Sequence, residues 1–139
     1  MNQINPKNLV IVTGVGIKPV NYIFKDITTG QSVHTPVIVG DTEYKANIGA
    51  AAAHELCKAG FSVCMIARTE DNLKIVKKWI ERSIPSASIE YKLLDMKDRS
   101  GVDIFVSELP KDKDVHWVQC VGLGGGTVKV KDDNPYLTI

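Results

Sequence analysis

Asn8-Leu9-Val10-Ile11-Val12-Thr13-Gly14-Val15-Gly16 and, further on, Asn47-Ile48-Gly49-Ala50-Ala51-Ala52-Ala53-His54-Glu55-Leu56 decide the fold. Leu9 to Val12 are all aliphatic, as a parallel strand covered on both faces requires. The strand runs straight into a glycine turn. Asn47 is a residue type that caps a helix by accepting an N–H bond from its first turn. The four alanines that follow let a helix backbone lie close to a sheet. Lys58-Ala59-Gly60 closes the helix with a basic residue at its negative end and a glycine able to take positive φ. Strand, glycine turn and helix form one unit, but about thirty residues separate its halves where such units usually need only a few.

The same alternation continues downstream. Phe61 to Ala67 reads as a second buried strand. Thr69 is placed to cap a second helix, with Glu70 and Asp71 in its first turn. Leu73, Val76 and Ile80 recur at helical spacing with Trp79 beside them, while Lys74, Lys77 and Lys78 cover the other side. Pro85 ends this helix. Ser88 to Leu94 forms a third strand, Asp98 to Leu109 a third helix with Val102, Phe105, Val106 and Leu109 inward, and Val115 to Val121 a fourth strand. Strands alternating with helices predict an α/β, Rossmann-like three-layer domain, a parallel sheet with helices on both faces. Right-handed crossovers give the order 3-2-1-4. Strand four is then an apolar edge, which calls for cover from a C-terminal half, a second chain or the insert. Residues 1–126 make one domain, with 17–46 as the insert and 127–139 as a polar tail leading to a further C-terminal half. Within the insert, Tyr22 to Ile27 and Val33 to Val39 are strand-like runs around Thr28-Thr29-Gly30-Gln31-Ser32, which predicts a β-hairpin. Pro36 suits its edge.

Composition narrows the function classes. The chain has 139 residues, 44% hydrophobic and 24% charged, with a net charge of +1. That balance gives no electrostatic case for nucleic acid or an anionic membrane surface. No apolar run approaches membrane-spanning length, and Met1 to Lys7 lacks the apolar stretch of a signal peptide. Cys57, Cys64 and Cys120 form no CxxC pair, and reduced core thiols of a cytoplasmic protein are the expectation. His54-Glu55 begins like HExxH, but Lys58 takes the place of the second histidine, leaving His54 as a helix-surface residue. His34 and His116 have no metal-ligand spacing around them.

On the residues so far, the chain resembles the N-terminal half of the short-chain dehydrogenase/reductase family from about Asn8 to Gly126, insert excepted. Thr13 and Gly14 match the opening of that family's TGxxxGxG turn, and Ile48-Gly49 match its close. Asn47 stands where the middle glycine would be. The resemblance implies a dinucleotide whose pyrophosphate lies against the first helix, near Gly14, Gly16, Asn47 and Gly49. Arg68 and Thr69, after strand two, stand where an acidic residue would hold the ribose hydroxyls of NAD. A guanidinium there favours the 2′-phosphate of NADP, so the cofactor expected is NADP ahead of NAD. Asp95 and Met96 match the family's adenine-contacting positions. Gly122 alone matches its Asn-Asn-Ala-Gly loop, Gln119 and Cys120 replacing the asparagines.

The family's catalytic YxxxK helix has no counterpart. Four residues after Tyr22, Tyr44 and Tyr91 stand Asp26, Ile48 and Asp95, and the chain ends before that position for Tyr136. No catalytic residue is therefore assigned. The expectation is the cofactor-binding half of an NADP-dependent oxidoreductase acting on a small-molecule carbonyl or alcohol, in a homo-oligomer or paired with a C-terminal segment. The alternative is a non-catalytic nucleotide- or protein-binding module on a degenerate Rossmann fold. In that alternative the insert blocks or reshapes the phosphate site, and Val37 to Val39 in the phosphate space would be its mark.

Overall fold

The computed structural model describes residues 8–20, 27–29 and 37–120. The central strand is β1 (Leu9–Thr13), and every one of its residues is buried. The insert follows with β2 (Ile17–Pro19), β3 (Val37–Val39) and β4 (Thr42–Ala46), then α1 (Ile48–Lys58), β5 (Ser62–Ala67), α2 (Glu70–Ser83), β6 (Ser88–Leu93), α3 (Arg99–Ser107) and β7 (Val115–Gln119). β1, β5, β6 and β7 make one parallel sheet in the order β6-β5-β1-β7. With the insert's three strands taken out of the count, that order is 3-2-1-4.

Alternation along β1 divides the core between two faces. Val10 and Val12 point with Val63 and Met65 of β5 toward α1 and α2, meeting Ala50, Ala53, Leu73, Val76 and Ile80. Leu9 and Ile11 point with Cys64 and Ile66 to the other face and meet Phe105 of α3. The third helix is shorter at both ends than the residue pattern predicts. Asp98 is its cap, and Val106, expected inward, is 47% exposed, while Phe105 is buried against β1 and β5 with Leu109 packed beside it.

The insert differs from the predicted hairpin. Residues 21–26 and 30–36, where most of both expected strands fall, lie outside the described residues, and Ile27 to Thr29 form a turn. What pairs is β3 with β4 and β4 with β2, an antiparallel sheet in the order β2-β4-β3. β3 and β4 are joined by Gly40-Asp41, and Gly40 takes φ +67°, the conformation a two-residue hairpin turn asks of its first residue. This small sheet is not an appendage. Ile17 and Val37 are each 3% exposed and belong to the core beside α1 and α2, with Val39, Tyr44 and Ala46 packed around them.

Candidate functional site

The carboxyl ends of all four parallel strands open onto one cleft of about 550 Å³. Gly14 and Val15 come from β1, Ile66 to Thr69 from β5, Leu94 to Lys97 from β6, and Cys120 follows β7. Asn47 and Asn72 close it from the starts of α1 and α2. A cleft outside the carboxyl ends, where the chain order reverses between β1 and β7, is where open α/β sheets bind ligands. Its volume lies within the range of about 300–1,000 Å³ typical of small-molecule sites. No residue of β3 lines it among the described residues, so Val37 to Val39 do not fill the phosphate space.

The glycine turn is built by sterics. Gly14 takes φ +74°, and its N–H donates to the carbonyl of Ile66 at 3.1 Å. A Cβ on Gly49 would stand 2.7 Å from the carbonyl oxygen of Gly14, so only glycine lets α1 approach β1 this closely. The two halves of the broken motif are joined in space. The Asn47 N–H donates to the Gly16 carbonyl at 3.0 Å, the Asn47 Oδ1 accepts from the Gly16 N–H at 3.0 Å, and the Asn47 Nδ2 donates to the Gly14 carbonyl at 2.8 Å. With residues 17–46 left out, Gly14-Val15-Gly16-Asn47-Ile48-Gly49 is a G-x-G-x-x-G, the dinucleotide-binding spacing. A contiguous pattern could not register it; the signal lay in joining Gly16 to Asn47 across the insert.

The same asparagine occupies part of the helix tip. Its Oδ1 also accepts from the Ala50 N–H at 2.9 Å, and its carbonyl accepts from Ala51 at 3.0 Å. The N–H groups of Ile48 and Gly49 have no acceptor among the described residues. The Ile48 side chain is 81% exposed and lines neither cavity.

Arg68 and Thr69 are exposed on the cleft rim. Thr69 holds the cap position of α2, but its side chain makes no cap bond. Across the cleft, Asp95 accepts from the Lys97 N–H at 2.9 Å and so shapes its own turn. It is not the cap of α3; Asp98 is, accepting from Gly101 at 3.1 Å. Met96 is half-buried against the α3 face of the core. Thr13 is not in the cleft. It is fully buried, donating from its hydroxyl to Gln119 Oε1 at 2.5 Å and accepting from the Cys120 N–H at 3.3 Å, which ties β1 to β7. Gly16 lines a second cavity beside the first. Gly122 lies outside the described residues. Asn72, Lys97 and Cys120 join the cleft without having been singled out as ligand contacts; Asn72 stood in the first turn after Thr69 and Lys97 next to Met96.

All three cysteines are free. Burial pushes the Cys57 thiol up to about 11 and the Cys64 thiol up to about 12, the latter helped by the charge of Glu90. His54 is not a plain surface residue: its ring stacks on Trp79 at 4.4 Å between α1 and α2. Among the described residues no group of three metal-ligating side chains occurs, and no helix is long and apolar enough to cross a membrane. Neither a scan against protein-family models nor a search of curated proteins finds a match to this chain.

Proposed function

We propose that the chain is the dinucleotide-binding part of an NADP-dependent oxidoreductase of the short-chain dehydrogenase/reductase type, acting on a small carbonyl or alcohol substrate in a cytoplasmic homo-oligomer. The observation that carries this is a single cleft shared by the glycine turn and Arg68. The glycines fit the group: Gly14 makes the sharp turn and Gly49 the close approach of α1 to β1, as a pyrophosphate at a helix N-terminus needs. Arg68 fits a 2′-phosphate, and Met96 with Leu94 offers an apolar wall to the adenine. When bound, the nicotinamide would give or take a hydride; this chain's own part is to hold and orient it.

Titration of NADPH and NADH tests the reading. The wild type is expected to prefer NADPH. Arg68→Ala is expected to weaken NADPH by roughly 10- to 100-fold, the worth of charge-assisted bonds, and to leave NADH nearly unchanged. Unchanged discrimination in Arg68→Ala would remove Arg68 from the site.

One observation favours a second reading, a non-catalytic binding module. The carboxamide of Asn47 already takes the N–H groups of Gly16 and Ala50. A domain that closes its own phosphate loop in this way and binds neither nucleotide would be that module.

A further inference from the structure

The insert carries a charge arrangement that the fold does not need. Lys18 of β2 and Lys45 of β4 are directly opposed in the antiparallel ladder, so both side chains leave the same face. Like charges in that relation destabilise a sheet. Neither lysine makes an ion pair among the described residues, although Glu43 lies two positions from Lys45 on the same strand. Both lysines are exposed and line a cavity of about 310 Å³ together with Gly16, Asn47 and Asn72. Asn47 and Asn72 also line the main cleft, so the two spaces meet at these side chains.

We propose that Lys18 and Lys45 form a cationic clamp which, with Arg68, takes the 2′-phosphate of the dinucleotide. This rests on the dinucleotide reading of the main cleft. Asn72 sets the direction: it lies in the first turn of α2, four residues after Arg68, and its other side borders the lysine cavity. The pyrophosphate is assigned to the main cleft beside Gly14 and Val15, which the lysine cavity does not include. Charge matching supports the assignment. A phosphate monoester carries about −1.5 to −2 at neutral pH, more than one guanidinium neutralises. An anion between the lysines also removes their mutual repulsion. The insert is then part of the cofactor site rather than an interruption of it.

NADPH and NADH are titrated against wild type, Arg68→Ala, Lys18→Ala/Lys45→Ala and Lys18→Glu, each checked by thermal melting without ligand. The double alanine variant is expected to lose about tenfold in NADPH affinity and about twofold or less in NADH affinity. Lys18→Glu places opposite charges across the ladder, so its ligand-free melting temperature should equal or exceed the wild type's while its NADPH preference falls. A purely structural role for Lys18 predicts no change in preference. If Arg68→Ala loses discrimination while both lysine variants keep it, the clamp is wrong and the dinucleotide reading stands. Equal weakening of both nucleotides also overturns the 2′-phosphate assignment. A wild type that binds neither nucleotide overturns the dinucleotide reading and the clamp with it.

Discussion

The parallel sheet and the insert sheet share one core but are built on different terms. β1 is buried along its whole length, and β5 is buried through its middle four residues. The insert strands bury little: one residue of three in β2 and in β3, and none fully in β4. A strand covered on both faces must be apolar throughout, whereas a strand covered on one face needs only alternate apolar residues. The difference teaches that an insertion can enter a tight loop without dissolving it. Two conditions are met here: its neck is clipped by hydrogen bonds, and its inner face adds to the existing core.

The sharpest way to break the comparison is to empty the core from each side. Ile17→Ala in the insert and Ile11→Ala in β1 should each lower stability by about 2–5 kcal/mol, read from urea unfolding as one cooperative transition. An insert that merely hangs from the domain would leave the global transition of Ile17→Ala where it was. Next in size is Gly49→Ala, whose new Cβ meets the Gly14 carbonyl. A loss of about 1–3 kcal/mol is expected, with nucleotide binding abolished. Full NADPH affinity in that variant would mean that α1 can retreat from β1 at no cost to the site.

Asn47→Ala tests the clip itself. Loss of a helix cap costs about 0.5–2 kcal/mol, and hydrogen exchange should quicken in β2 and β4 more than in β1. Uniform quickening would show that the neck is not the insert's own anchor. The smallest effect is set by pH. Cys57 and Cys64 stay neutral in the folded protein up to about 11 and 12, but ionise near 9 when unfolded. The unfolded chain therefore binds fewer protons above pH 9, and stability falls from there toward pH 12. A Cys57→Ala/Cys64→Ala variant should show a shallower fall over that window; an identical slope would assign the loss to other groups.

Much of the fold was legible because the residues that form it are close in sequence. Leu9 to Val12, the cap at Asn47 and the stripe Leu73, Val76, Ile80 each state their element within a few positions. β4 was not legible, since Thr-Glu-Tyr-Lys-Ala is polar and half-buried and becomes a strand only between two partners. Thr13 was placed in the site by motif, yet its hydroxyl is taken by Gln119, a residue far along the chain. His54 was placed on the surface, and Trp79 of α2 covers it.

By itself the sequence determined the order of elements and the class of sheet, because apolar run length and helical spacing are local properties. Only the tertiary structure decided that Gly16 and Asn47 are neighbours, that Lys18 opposes Lys45, and that Arg68 shares a cleft with Gly14. These are contacts between segments far apart in the chain, and they exist only once packing has fixed where each segment ends.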